Sequence, residues 1–268
     1  MKKNERAAAI VRTIVVSLIA VLFVVPLVWM VLSSLKTAPE VFARPFHWLP
    51  ARVQWQNYAT VWMNEEASML RAFANTLYIA LFSIIGQMFI SSLAAYSFAK
   101  INFKGKQVVF MLFLSSMMVP SQLTIIPRFM LFKTIGLYNN LWATSIFMLR
   151  QFYMGLPNDL IEAAKIDGAG HLRIFLRIML PLTKAALMSL IILAFISSWN
   201  EYMAPLIFLV KKELYTVSQN IQWYMLDEFK EHNLTMAAAT SAIVPVVILF
   251  IVGQKYFVEG IATSGVKG

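Results

Sequence analysis

Long apolar runs, separated by short polar segments, set the pattern of this chain. Six such runs occur, and none contains more than one charged residue. A helix needs about 20 predominantly apolar residues to span the hydrocarbon core of a bilayer. The pattern therefore predicts an all-α integral membrane protein with six transmembrane helices. Their approximate bounds are 13–35, 72–99, 107–127, 134–154, 185–210 and 234–254.

Composition favours a single membrane domain that covers residues 1–268. Apolar residues make up 59% of the chain and charged residues only 13%, whereas soluble domains contain about 45–50% and about 25%. Neither an internal repeat nor a polar linker divides the sequence. We therefore expect one membrane domain without an attached soluble domain.

Lys and Arg residues are distributed unevenly among the polar segments. If the N-terminus is cytoplasmic, the cytoplasmic segments hold 14 of the 23 Lys and Arg residues, which agrees with the retention of positive charge on that side. Both termini are therefore predicted to be cytoplasmic. The net charge of +10 does not indicate a nucleic-acid partner, because no dense Lys/Arg cluster occurs.

The segment between the first two predicted spans, 36–71, is rich in aromatic residues. It contains Trp48, Trp55, Tyr58 and Trp62, together with three prolines. Trp and Tyr are enriched where a membrane meets water. We therefore expect this segment to lie at the outer membrane interface.

Proline interrupts the third apolar run at Pro120 and again at Pro127. Proline inside such a run either kinks a helix or ends it. Transporters often line their path with interrupted helices, but a loop that turns at the membrane surface explains the pattern equally well. The sequence is compatible with both interpretations.

The longest predicted cytoplasmic segment, 157–183, has the punctuation of two short helices. Asn158 or Asp159 is suited to cap the first helix, and Gly168 is suited to end it. A second helix follows and stops at Pro181. Two roles fit this pair of helices: a knob that docks a soluble partner, or an amphipathic hairpin that lies on the bilayer.

The same segment resembles the EAA motif of ATP-binding-cassette importer permeases. Glu162-Ala163-Ala164 is followed by Gly168 and, after nine further residues, by Ile178-Met179-Leu180-Pro181. The resemblance implies a type I importer permease fold with a coupling helix in a cytoplasmic loop. It also implies that the ATPase docks on five residues, namely Glu162, Ala163, Ala164, Asp167 and Gly168.

Short motifs elsewhere are similar to the carbohydrate-uptake branch of these permeases, the maltose/oligosaccharide type. They are Phe73-Ala74-Asn75-Thr76-Leu77, Ala95-Tyr96-Ser97-Phe98-Ala99, Met118-Val119-Pro120, Gly136-Leu137-Tyr138-Asn139, Ile166-Asp167-Gly168-Ala169, Trp199-Asn200-Glu201 and Pro205-Leu206-Ile207-Phe208. The segment 211–233 departs from the pattern, since it lacks the usual Gly-Leu near Ser218. We expect it to face a substrate-delivery protein.

The resemblance implies a permease subunit of an ATP-driven sugar or oligosaccharide importer in the plasma (inner) membrane of a prokaryote. Its implied partners are a second, homologous permease chain, two ATP-binding cassette subunits, an extracytoplasmic sugar-binding protein and membrane lipid. This chain lacks the Gly-Lys-Ser/Thr of a phosphate-binding loop. ATP and Mg are therefore expected on the partner subunits, and no cofactor is expected here.

Glu201 is the one acidic residue inside a predicted span, where a charge costs about 2.5–3.5 kcal/mol. With Trp199, Asn200 and Tyr202 it forms a candidate substrate path, since sugars are held by aromatic rings and planar polar groups. A structural hydrogen-bond network between helices is the alternative. A different function, that of an ion-coupled secondary transporter using Glu201, also stays open, although no inverted repeat supports it.

The sequence offers no evident catalytic or metal-binding constellation. The chain contains no cysteine, so thiol nucleophiles and Cys-ligated metals are excluded. Its three histidines, His47, His171 and His232, are predicted to lie on both sides of the membrane. Paired intramembrane carboxylates are also missing, which disfavours a membrane-embedded enzyme.

Overall fold

Helices form all the regular secondary structure of the residues that the computed structural model describes, which are 2–100, 103–117, 121–134, 184–226 and 231–265. Within these ranges there are ten α-helices and one 3-10 helix, Lys212–Leu214. The predicted helical class is thereby confirmed for this part of the chain. The α-helices are α1 Lys2–Ser34, α2 Ala38–Val41, α3 Gln56–Met63, α4 Met69–Lys100, α5 Lys106–Met117, α6 Ser121–Thr134, α7 Lys184–Trp199, α8 Met203–Phe208, α9 Val217–Tyr224 and α10 His232–Gly265.

Three helices are long and apolar enough to cross a membrane: Ala8–Ser34 in α1, Met69–Phe89 in α4 and His232–Gln254 in α10. They coincide with the first, second and sixth predicted spans. The predicted span 107–127 falls on α5 and α6, and the predicted span 185–210 falls on α7 and α8. The fourth predicted span, 134–154, lies outside the described residues apart from Thr134, so the count of six stays a prediction.

One of two compact units combines Met1–Met69 with Ile221–Val244, and a buried polar network holds it together. Asn57 of α3 donates from Nδ2 to the carbonyl oxygens of Ser34 and Lys36, at 2.8 Å in each case. Asn233 of α10 donates to Oδ1 of Asn57 at 3.0 Å. The end of α1 is therefore joined to the beginnings of α3 and α10.

Tyr224, at the end of α9, adds a second buried contact to this unit. Its hydroxyl donates to the carbonyl oxygen of Ala67 at 3.0 Å and to that of Val61 at 3.4 Å. Burial raises the pKa of Tyr224 to about 12, and the negative charge of Glu231 adds to that rise. The hydroxyl consequently stays protonated and able to donate at neutral pH.

The other unit comprises Leu70–Asn220 and Pro245–Gly268, and its core surrounds the short helix α8. Ile79 of α4 is buried together with Ala204, Phe208 and Leu209. Phe129 of α6 meets Phe208 edge-on, with ring centroids 5.9 Å apart. Helix α8 is therefore packed against both α4 and α6.

A close helix contact also occurs in this unit, between α7 and α10. A β-carbon added at Gly253 would lie 2.5 Å from Cδ1 of Ile192 and 3.3 Å from its Cγ1. Such a distance to Cδ1 is too short for two carbon atoms. The hydrogen side chain of glycine allows the two helices to approach at this point.

Candidate functional site

The sequence predicts two groups of functional residues, and the structure describes only one of them. The docking segment 157–183, which contains Glu162, Ala163, Ala164, Asp167 and Gly168, lies outside the described residues. Its role stays a prediction. The four residues of the predicted path, Trp199, Asn200, Glu201 and Tyr202, are described and lie where α7 ends and α8 begins.

An interruption of three residues separates α7 from α8. Helix α7 ends at Trp199 and α8 begins at Met203. Within the interruption, Oε1 of Glu201 accepts a hydrogen bond from the backbone N–H of Ala204 at 3.0 Å. The first N–H groups of a helix have no partner within the helix, and a carboxylate there interacts favourably with their positive end. Glu201 therefore stabilises the beginning of α8.

Trp199 is enclosed by aromatic side chains and is only 2% exposed. Its ring meets Phe73 of α4 edge-on, with centroids 5.2 Å apart and an angle of 86° between the planes. On another side it stacks on Phe195 of α7, at 5.3 Å and 18°. In this conformation the indole fixes the end of α7 against α4.

Asn200 and Tyr202 are more accessible than their neighbours. Asn200 is exposed, and its Nδ2 donates to the carbonyl oxygen of Ile196 one turn earlier in α7, at 2.8 Å. Tyr202 is half-buried and precedes the first residue of α8. The interruption thus presents an amide and a phenol, while Glu201 is bonded to α8.

Two polar residues of α4 hold the chain that follows α8. Asn75 donates from Nδ2 to the carbonyl oxygens of Glu213 at 2.9 Å and Tyr215 at 3.1 Å. Oγ1 of Thr76 accepts a hydrogen bond from the backbone N–H of Val217 at 2.9 Å. The 3-10 helix and the beginning of α9 are therefore anchored on α4.

Gln219 supports the same stretch from within α9. It is buried; its Oε1 accepts from the backbone N–H of Thr216 at 3.1 Å, and its Nε2 donates to the carbonyl oxygen of Leu209 at 3.0 Å. Irregular backbone at membrane depth is tolerated where protein supplies its hydrogen bonds. Asn75, Thr76 and Gln219 supply them to the segment 209–217.

The sequence alone did not assign a structural role to Asn75, Thr76 or Gln219. One signal was present, because Asn75 and Thr76 form a polar pair at the beginning of a long apolar run, and polar side chains in membrane helices usually have partners. Their partners are backbone groups far away in the sequence, which side-chain spacing cannot identify.

Histidine and carboxylate side chains of the described residues include no group of three that is placed to hold a metal ion. His232 instead packs edge-on against Phe42, with ring centroids 5.0 Å apart. His171 lies outside the described residues.

Comparison with known proteins connects these features to one family. A family model described as binding-protein-dependent transport system inner membrane component matches residues 87–263, a range that includes the docking segment and the interruption. The arabinooligosaccharides transport system permease protein of Bacillus subtilis (strain 168) is 32% identical over 267 residues, covering 96% of this chain and 95% of the relative. The melibiose/raffinose/stachyose import permease protein of the same organism is 31% identical over 270 residues, covering 96% of each.

A solved structure shows the same fold. One chain in the crystal structure of a bacterial ABC transporter involved in the import of the acidic polysaccharide alginate aligns with a TM-score of 0.76, at 22% identity, over 95% of this chain and 98% of that one. The resemblance to importer permeases predicted from the sequence motifs is confirmed. This chain belongs to the family of inner membrane components of binding-protein-dependent transport systems.

Proposed function

We propose that this chain is a permease subunit of an ATP-driven importer of a sugar or oligosaccharide. The observation that carries the proposal is the similarity, over nearly the whole chain, to permeases named for oligosaccharide substrates. In this role the chain forms half of a transmembrane path and performs no covalent chemistry.

The proposed topology has six spans with both termini in the cytoplasm. Three apolar helices of sufficient length support it, and so does the excess of Lys and Arg in the predicted cytoplasmic segments. The family description, an inner membrane component, agrees with the plasma (inner) membrane of a prokaryote as the location.

The proposed complex contains a second, homologous permease chain, two ATP-binding cassette subunits and an extracytoplasmic sugar-binding protein. Dependence on a binding protein is part of the family description, which supports the last of these. ATP and Mg are assigned to the cassette subunits, because no phosphate-binding loop occurs in this sequence.

The proposed docking surface for the ATPase is the first helix of the segment 157–183. Its spacing of Glu162, Ala163 and Ala164 from Gly168 and from the Leu-Pro pair carries the assignment. Two small alanines permit close approach of a partner, and Glu162 offers a charge for a basic partner residue. Such a pair gains most when it is partly desolvated.

The proposed substrate path passes the interruption between α7 and α8. Asn200 and Tyr202 present an exposed amide and a half-buried phenol, groups suited to sugar hydroxyls. Trp199 packs against the ring of Phe73, and Glu201 accepts a hydrogen bond from the backbone N–H of Ala204. These two contacts stabilise the conformation of the interruption. In this proposal Asn200 and Tyr202 are contacts of the substrate, whereas Trp199 and Glu201 support the path.

The docking assignment is tested by charge reversal at Glu162. Glu162→Lys is expected to leave the protein inserted but to abolish co-purification with the ATPase and sugar-stimulated ATP hydrolysis. Glu213→Lys is the matched control for co-purification alone, since Glu213 is exposed in a segment predicted to lie on the opposite side of the membrane and to face the delivery protein. Retention of both activities in Glu162→Lys would overturn the assignment.

The choice between ATP-driven and ion-coupled transport is tested in reconstituted vesicles. Uptake is expected to require the ATPase subunits and the sugar-loaded binding protein; uptake without any ATPase would refute the proposal. Glu201→Gln removes the charge but keeps an oxygen that accepts from Ala204, so uptake should persist. Glu201→Ala removes both and should reduce it. An ion-coupling carboxylate would be inactivated by either change.

A further inference from the structure

The segment between α2 and α3 exposes large apolar side chains among arginines. Arg44 and Arg52 are both exposed within it. Six large apolar side chains between residues 42 and 55 are at least 47% exposed, namely Phe42, Phe46, Trp48, Leu49, Val53 and Trp55. This combination of aromatic and basic residues is typical of the membrane–water interface.

The position of the segment along the chain supports the same environment. The apolar stretch Ala8–Ser34 ends two residues before Lys36, and the segment folds back within the same unit through the Asn57 contacts to Ser34 and Lys36. A backbone joined in this way to the end of a helix long enough to cross a membrane is expected at headgroup depth. Lipid headgroups are therefore the surroundings expected for the segment.

A cavity of about 510 Å³ opens in this segment, and its lining includes Lys36, Glu40, His47, Trp48 and Leu49. Sites for small molecules are usually about 300–1,000 Å³. The cavity combines an aromatic and aliphatic wall with charged groups, as the headgroup and upper chains of a lipid require.

Lys36 places a buried positive charge in the wall of this cavity. It is 1% exposed, and its Nζ donates to the carbonyl oxygen of His47 and lies 5.1 Å from the centre of the Phe46 ring. An ammonium group carries three N–H donors, and a buried charge is normally matched by an opposite charge. Both of these partners are neutral, and the negative charge that acts on Lys36 within the lining is that of Glu40.

Glu40 is the acidic group of the lining, and its carboxylate is already engaged. Oε2 accepts hydrogen bonds from the backbone N–H of Thr37 at 2.9 Å and from its hydroxyl at 3.0 Å. These bonds, chiefly the one from the backbone N–H of Thr37, lower the pKa of Glu40. The positive charge of Lys36 contributes to the same decrease. Glu40 thus caps α2, and Lys36, Arg44 and Arg52 give the surroundings a positive excess.

We propose that this cavity binds the headgroup of an anionic phospholipid from the leaflet at the C-terminal end of α1. The phosphate is attracted by Lys36 and by Arg44 and Arg52, which directly follow the lining residues Ala43 and Ala51. The glycerol and the beginning of the acyl chains pack on Trp48 and Leu49. This site does not depend on the transported substrate.

The test uses the intact purified importer, stripped of lipid in detergent and titrated with defined lipids under native mass spectrometry. Phosphatidylglycerol is expected to bind at about tenfold lower concentration than phosphatidylcholine, and inorganic phosphate at the same concentration should not compete. Arg52→Gln should weaken phosphatidylglycerol binding about fivefold, the effect of one basic residue near an anionic surface. Trp48→Ala should weaken the binding of both lipids.

Lys211→Gln is the matched control, because it removes one exposed positive charge from a segment of the other unit. Phosphatidylglycerol binding in this variant should equal that of the unmodified importer. Thermal unfolding of each variant checks that the fold is retained, and both Trp48 and Arg52 are exposed enough to be replaced without unfolding the unit.

Four results would overturn the proposal. The first is equal binding of phosphatidylglycerol and phosphatidylcholine, and the second is equal behaviour of Arg52→Gln and Lys211→Gln. The third is loss of affinity for the substrate-loaded delivery protein in Trp48→Ala and Arg52→Gln with lipid binding unchanged, which would make the surface a protein-docking site. The fourth is competition by inorganic phosphate, which would make a small free anion, and not a lipid, the ligand of the cavity.

Discussion

Helix α1 and the segment 199–219 meet the membrane environment in opposite ways. In α1, the stretch Ala8–Ser34 is apolar and, apart from Ser33 and Ser34 at its end, none of it is buried within the chain. In the segment 199–219 the backbone is irregular, and Asn75, Thr76, Glu201 and Gln219 give it hydrogen bonds from inside the chain. The first region therefore depends on lipid or neighbouring subunits, whereas the second carries its own partners. The same type of substitution should therefore lower the free energy of unfolding more in the segment 199–219 than in α1.

The largest contrast is expected between two aromatic residues. Trp199→Ala removes a buried ring packed between Phe73 and Phe195 and should lower the free energy of unfolding by about 3–5 kcal/mol. Phe23→Ala, in α1, removes a ring that is 73% exposed within this chain and should change it by less than about 0.5 kcal/mol. Unfolding of the purified chain in detergent, followed by loss of helical circular dichroism, measures both. Equal losses would remove the distinction between the two regions.

A comparison of two threonines measures the contribution of the hydrogen bond between α4 and the segment 199–219. Oγ1 of Thr76 donates to Ala72 and Oγ1 of Thr13 donates to Ala9, each four residues earlier, but only Thr76 also accepts from Val217. Thr76→Val should therefore cost about 1–3 kcal/mol, because it leaves a buried N–H without its acceptor. Thr13→Val should be close to neutral. The same unfolding measurement decides, and a neutral Thr76→Val would mean that α4 does not anchor the segment.

Tyr224 tests whether internal hydrogen bonds also stabilise the unit that contains α1. Tyr224→Phe should lower the free energy of unfolding by about 1 kcal/mol at neutral pH. The pKa of Tyr224 in the folded chain, about 12, lies above its ordinary value of 10.0. This stabilisation is therefore fully present below about pH 10 and is lost as the pH rises through 12.

The unfolding temperature measured from pH 8 to pH 12 checks this dependence. The difference between the unmodified chain and Tyr224→Phe should shrink above pH 10. A difference that stays constant up to pH 12 would exclude the hydroxyl as its origin.

The smallest effect is expected at Gly253. Gly253→Ala brings a β-carbon to 2.5 Å from Cδ1 of Ile192, and the end of that flexible side chain can turn aside at a cost of about 0.5 kcal/mol. Ile192→Val deletes Cδ1, so the cost of Gly253→Ala should disappear in that background. A double-mutant cycle of unfolding free energies measures the coupling. An unchanged cost in the double variant would locate the strain elsewhere.

The apolar runs predicted the long helices because a helix forms the hydrogen bonds of its backbone within itself and needs no distant partner. They did not predict the interruption at 200–202, since the run 185–210 continues through it. Glu201 was the visible irregularity, and its bond to the N–H of Ala204 could be recognised only once α8 was seen to begin at Met203. Motif spacing, in contrast, indicated the family directly. It did so through residues such as Glu162, whose predicted role is contact with another protein.

The polar network around Asn57 has a consequence for how the protein is made. Asn57 bonds to the end of α1 soon after both have been synthesised, but its Oδ1 receives its bond from Asn233 in the last helix. During insertion by the translocation machinery, the first helix therefore enters the bilayer long before its unit is complete. A chain that stops short of Asn233 therefore leaves Oδ1 of Asn57 without the donor that joins the end of α1 to the beginning of α10.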